Sequence, residues 1–210
     1  MRDYLIDPDF HLKKIKPKFR KMFELALPFL NTRHNEVHTF IVYQYALLLL
    51  EEEPGAPEVA IPAAILHDVG WSSVPEERQL DAFGPNMTDQ KLRRKHEVEG
   101  AAIAREILVQ SGYDPEFIPE IVAIVGGHDT TPGANSLEDA ITKDADKLFR
   151  FSNAGFTIDR QRFNDEPLSS VQFLVERIDQ WFLTKTGKEI ARHEAHMREK
   201  EIVETHTSAL

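Results

Sequence analysis

The sequence predicts an all-α protein of seven or eight helices, and three observations carry that expectation. Apolar residues recur at three- and four-residue steps in most segments. No segment sustains the period-two alternation of a half-buried strand. Proline and glycine punctuate the chain at helix-length intervals, as at Pro54-Gly55 and Ser111-Gly112. There is no internal repeat and no low-complexity run.

Residues 1 to 9 form a lead-in containing Asp7-Pro8. A first amphipathic helix is expected from about Phe10 to Leu30, with Leu12, Ile15, Phe19, Met22, Phe23, Ala26 and Leu27 on one stripe and basic residues elsewhere. Asn31 or Thr32 suits the cap of a second helix that reaches about Glu53. A short apolar helix follows from about Glu58 to Asp68, with Gly70 suited to a C-terminal stop. Residues 71 to 87 hold two prolines, one glycine and no period, and are expected to form a loop or lid. Thr88 or Asp89 would cap a helix to about Ser111, in which Gly100, Ala101 and Ala102 let a neighbour come close. Pro115 suits the first position of a helix ending near Gly126, and Leu137 to Phe151 reads as another. Residues 156 to 167 are expected to be irregular. Leu168 to Leu183 and Lys188 to Glu204 make two last helices, the final one largely solvated. The expected division is an N-terminal helix (1–30), a core (31–152) and a C-terminal helical extension packing on the core (153–210).

Composition bounds the function. The chain has 210 residues, 41% hydrophobic and 29% charged, enough for a sizeable core. A net charge of −10 argues against duplex nucleic acid and an anionic membrane surface as partners. A small anionic substrate stays admissible, because a metal ion and a few local cations reverse the field inside a pocket. The absence of cysteine excludes disulfides and thiolate ligands. No secretory h-region and no bilayer-length apolar run is visible, so a cytoplasmic location is expected. Oligomeric state is left open, a homodimer included.

A few polar residues stand out against this background. Residues 61 to 70 read IPAAILHDVG, an apolar helical run that ends in His67-Asp68. A carboxylate beside an imidazole at the end of a buried helix must be paired or must bind a metal. His38 sits among Val37, Phe40, Ile41 and Tyr45, and His96 follows the basic patch Lys91, Arg93, Arg94 and Lys95. His128 closes another apolar run at GGHD, and Asp144 and Asp146 lie in LEDAITKDADKLFRF. Each lies on, or at the end of, an otherwise apolar helix, which is how an all-α core builds a central site. Imidazole with carboxylate and no thiolate suits Mn, Fe, Co, Ni, Zn or Mg.

The order H…HD…H…H…D, in the contexts ILHDVG, KHEVEGA and DADKL, resembles the HD superfamily of metal-dependent phosphohydrolases over about residues 33 to 150. The resemblance implies that His38, His67, Asp68 and Asp146 hold a first divalent ion and that Asp68 bridges to a second. His96 and His128 match the extra histidines of the branch that binds two metals, so one or two ions per chain are expected. Asp144, two residues from Asp146, cannot share its face. The implied activity is hydrolysis of a nucleotide or other small phosphate ester by metal-activated water. In it Asp68 orients the water, and His96 or His128 protonates the leaving oxygen when not a ligand. Arg33, Arg93, Arg94, Lys95 and Lys147 are candidate phosphate contacts.

Two features depart from known branches. The acidic residues that follow the HD pair in relatives degrading guanosine tetraphosphate are replaced here by Val69, Gly70, Trp71, Ser72 and Ser73. The Gly-Tyr-Pro signature of the cyclic di-GMP branch is missing. A non-catalytic HD domain that senses a nucleotide or metal, and a di-iron oxygenase of the same fold, are the alternatives. His193-Glu194-Ala195-His196 spaces two histidines at i,i+3, not the i,i+4 of zincins, and reads as a solvated face. Neither a P-loop nor a Gly-x-Ser-x-Gly elbow is present.

Overall fold

A computed structural model describes residue 6, residues 11–84 and residues 87–208. The lead-in at Asp7-Pro8 lies outside the described residues. Among the described residues there are eleven α-helices and no strand. α1 spans Pro17–Leu30, α2 Asn35–Leu49, α3 Pro57–Leu66, α4 Glu76–Gln79, α5 Gln90–Ser111 and α6 Ile118–Val125. α7 spans Leu137–Phe149, α8 Asn153–Phe163, α9 Pro167–Val175, α10 Ile178–Trp181 and α11 Lys185–Ser208. No helix among them is long and apolar enough to cross a membrane.

α3 is the axis of the molecule. Every residue from Val59 to Leu66 is buried, and a helix that is apolar on all sides must be surrounded. α1, α2, α6 and α7 pack around it, and one apolar cluster runs from Ile15 to Ala195 on α11. Because α3 stops at Leu66, His67 and Asp68 leave its end inside the protein. Gly70 serves a different purpose from the helix stop expected of it, since its φ is not in the left-handed region. A Cβ there would come 1.8 Å from the His96 carbonyl oxygen and 2.6 Å from the Gly100 nitrogen. Gly70 and Gly100 are where the 3₁₀ turn Val69–Ser73 presses on α5, and that contact sets His96 beside the His67-Asp68 pair.

Several boundaries differ from expectation for local reasons. The first helix begins at Pro17, which suits a first helical position, after a separate 3₁₀ turn at Leu12–Lys14. α2 begins at Asn35 because Arg33 and His34 take left-handed φ angles of 49° and 60°. The expected lid is instead packed at its start: Trp71, Val74, Gln79 and Ala82 are buried. Gln79 organises it, its amide donating to the carbonyls of Trp71 (3.0 Å) and Val74 (2.9 Å). α6 starts at Ile118, not Pro115. The stretch expected to be irregular is mostly α8, capped by Ser152, and the helix expected over 168–183 divides into α9 and α10. α11 is less solvated than expected, since Ile190, Ala191, Glu194, Ala195 and Arg198 are buried.

Candidate metal centre

Five elements deliver the polar residues to one place. His38 comes from the first turns of α2, His67 and Asp68 from the end of α3, and His96 from α5. His128 comes from just past α6 and Asp146 from α7. Their donor atoms form two groups that could each hold a metal ion: His38, His67 and Asp146, and Asp68, His96 and His128. In the first, His38 Nε2 lies 3.0 Å from His67 Nε2 and 3.3 Å from Asp146 Oδ1. In the second, His128 Nε2 lies 3.4 Å from His96 Nε2 and 3.5 Å from Asp68 Oδ1. Asp68 joins the two groups, its Oδ2 lying 3.3 Å from His38 Nε2 and 3.6 Å from His67 Nε2.

Donors that share one ion at about 2.1 Å stand about 3.0 to 3.4 Å apart at octahedral or tetrahedral corners, so these spacings fit. The tautomers fit as well. His67 Nδ1 and His128 Nδ1 each lie 2.9 Å from a backbone carbonyl, of Ala64 and Val125. A carbonyl can only accept, so each Nδ1 carries the proton and each Nε2 turns its lone pair inward. His96 is held differently: its Nδ1 has no hydrogen-bond partner, and its ring stacks on Trp71 at 4.0 Å with planes 9° apart. Trp71 therefore packs against a site residue. Its indole N–H donates to Asp68 Oδ1 at 3.0 Å, and the Asn35 amide donates to the Asp68 carbonyl at 3.4 Å.

The local field favours a cation. Burial raises the carboxyls of Asp68 and Asp146, but the facing imidazoles outweigh it and hold both well below the usual carboxylate range. Burial lowers His128, yet Asp68, Asp129 and Asp146 carry it up to about 9. His67 rises for the same reason, through Asp68 and Asp146. His96 falls to about 4 through burial and the neighbouring His128.

A cavity of about 610 Å³ opens on the donors, lined by His38, Asp68, His128 and Asp146. Of the cations expected to contact phosphate, Arg33, Arg93 and Lys147 line it. Arg94 and Lys95 do not; both are exposed, and Arg94 is held by Glu97 (2.7 Å) and the Gly126 carbonyl. Asp144 faces away, accepting from the backbone of Leu183 and Thr184, both at 2.8 Å, and so fixes the start of α11. His193 and His196 join neither donor group, although Glu194 between them is buried and accepts from the Tyr45 hydroxyl at 3.1 Å.

Sequence reasoning missed Asp129, whose Oδ2 lies 3.6 Å from His96 Nε2. The signal was there, for His128-Asp129 repeats the dipeptide of His67-Asp68. It also missed what holds the segment after His128. Glu97 accepts from the backbone N–H groups of Asp129 (2.9 Å) and Thr130 (2.8 Å). Buried Lys143 donates to the carbonyls of Thr131 (3.2 Å) and Gly133 (2.7 Å).

An all-α fold with an internal His/Asp centre is the class this architecture defines. Residues 36–150, more than half of the chain, match the family model described as HD domain, and the chain belongs to that family. HD domains bind divalent metals. The fold is also that of a crystal structure described as a predicted HD superfamily hydrolase from an uncultured Thermotogales bacterium. That chain is 20% identical, with 96% of this chain and 100% of that one covered and a TM-score of 0.63. No curated protein matches the chain.

Proposed function

We propose that this protein is a metal-dependent phosphohydrolase that hydrolyses a nucleotide or another small phosphate ester with two divalent ions. One observation carries the reading: two three-residue donor groups meet at the two oxygens of Asp68, on the floor of a cavity with cationic walls. Divalent ions bound there would bring the pKa of water towards about 7 and offset charge on a phosphoryl group. The chain's own residues do the rest. Trp71 fixes the Asp68 carboxylate, and the Ala64 and Val125 carbonyls aim the imidazoles. Lys147 on the cavity wall receives phosphoryl oxygens. With both groups filled, His96 and His128 act as ligands and not as proton donors. Phe163, Phe173 and Trp181 also line the cavity, which favours a substrate with a flat ring, and its volume suits a small molecule.

The test is a screen of nucleotides and simple phosphate esters with Mn, Co, Ni, Zn or Mg supplied, reading phosphate release and thermal shift together. Metal-dependent release supports the reading. Stabilisation by a nucleotide with no release under any metal would make the protein a sensor, and an iron-loaded preparation that consumes O₂ would make it an oxygenase.

A further inference from the structure

The same cavity has a second charged region, built from residues outside the donor groups. Arg33, Arg150 and Arg162 all line it. One carboxylate, Asp159, serves two of them, at 2.7 Å from Arg150 Nη1 and 2.8 Å from Arg162 Nη1. No carboxylate pairs with Arg33 among the described residues; its guanidinium donates to the Gln79 carboxamide and lies over the rings of Phe83 (4.6 Å) and Trp71 (5.0 Å). Arg162 lies over the same Phe83 ring, at 5.5 Å. Of these three guanidiniums, two share one ion-paired carboxylate and the third has none in ion-pair contact among the described residues, in a chain of net charge −10. Of the other carboxylates of the lining, Asp68 acts on Arg33 and Arg162 but is shared with His38, His67 and His128, and Asp146 lies against His38 and His67. Asp129 is engaged by Arg93, Asp165 and Glu166 are exposed, and Glu166 caps α9.

Burial and the nearby Arg162 bring the Arg33 guanidinium down to about 10, against the pull of Asp68. Arg162 is lowered by burial, with Arg150 adding to the effect. Holding like charges together in a partly buried place is unfavourable unless an anion completes the set. The backbone is shaped to the same end. Arg33 and His34 are consecutive non-glycine residues at positive φ, a strained conformation that persists where the surroundings over-determine it. Arg33 is also tied to the centre: Gln79 holds it and donates to Trp71, which donates to Asp68.

We infer that Arg33 and Arg162, with Arg150 behind them, form an anion subsite facing the metal centre, and that the substrate carries a phosphoryl group beyond the one at the metals. The substrate class is then a polyphosphate ester such as a nucleoside di- or triphosphate. Arg162 lies on α8, outside the residues that match the family model. The inference rests on the phosphohydrolase reading for its substrate, but its test needs no turnover.

The test is calorimetric titration of the Mn²⁺-loaded protein with inorganic phosphate, pyrophosphate and tripolyphosphate. Pyrophosphate or tripolyphosphate is expected to bind at least about ten times more tightly than phosphate, the worth of one charge-assisted contact. Arg162→Gln should remove that preference and leave phosphate affinity and metal content unchanged, whereas Arg162→Lys should restore part of it. Arg33→Gln gives the same reading through the other guanidinium over Phe83 if α8 does not tolerate the first change. Equal affinity for the three anions in the wild type, or a preference that survives both Gln variants, overturns the subsite. Absence of phosphate release from any substrate would instead overturn the phosphohydrolase reading, whatever the calorimetry gives.

Discussion

The two sides of the cavity are built on opposite principles. The metal side gathers buried His67, Asp68, His96 and His128 and half-buried His38 and Asp146 from the ends and inner faces of α2, α3, α5, α6 and α7; backbone carbonyls aim His67 and His128, and Trp71 stacks on His96. The arginine side is assembled from the turn before α2 and from α7's C-terminal end and α8, where half-exposed guanidiniums lie over rings. The metal side gathers the carboxylates of Asp68, Asp129 and Asp146, and the arginine side the guanidiniums of Arg33, Arg150 and Arg162. A phosphate ester with bound cations complements both. The donor groups thus come from the core helices, whereas the arginines of the same cavity come in part from the later helix α8.

Changes to the metal side should have the largest effects. Asp68→Ala removes the carboxylate that joins both donor groups and is expected to abolish turnover, while His193→Ala leaves it intact; initial rates at saturating metal check this. Trp71→Phe keeps the stack on His96 but deletes the bond to Asp68, and metal affinity measured by competition with a chelator should fall about 10- to 100-fold. Next to the donor Asp146, Lys147→Gln should raise KM about tenfold, the worth of a charge-assisted contact, whereas Arg94→Gln should leave KM unchanged because Arg94 does not line the cavity. Equal effects from Lys147 and Arg94 would dissolve the distinction between the two cations.

A smaller effect should appear in the pH dependence of stability. His128 is raised from 6.5 to about 9, so its protonation stabilises the metal-free fold fully below pH 6.5, and that contribution is lost as pH rises through about 9. A bound cation takes over the role of that proton. The Tm of the metal-free protein should thus fall between pH 6.5 and 9 by more than that of the metal-loaded protein. Parallel curves would mean that the carboxylates are balanced by something other than the site.

The contrast between the two sides is also a contrast in what could be read from the chain. His38, His67, Asp68, His96 and His128 are legible because each is a polar exception on an otherwise apolar helix, whereas only the family resemblance separates Asp146 from Asp144. Arg93 could have been separated from Arg94 and Lys95, since it stands three residues before His96 and shares its face. Arg150, Asp159 and Arg162 had no such signal: a charged helix looks solvated until the fold shows which face turns inward. Gly70 was misread as a helix stop because the reading considered only its own helix, whereas its contact partner is 30 residues away, at Gly100. Gln79, an ordinary polar residue in a segment without period, orders the turn beside the site through two backbone carbonyls, and nothing in its sequence context announces that.

The central claim is a two-ion centre joined by Asp68, and elemental analysis of the metal-reconstituted protein tests it most directly. Two divalent ions per chain are expected in the wild type, two in His193→Ala, and loss of metal in Asp68→Ala. A wild type that holds no metal after reconstitution, or an Asp68→Ala variant that still holds two, would contradict it and make the His/Asp cluster a hydrogen-bonded core.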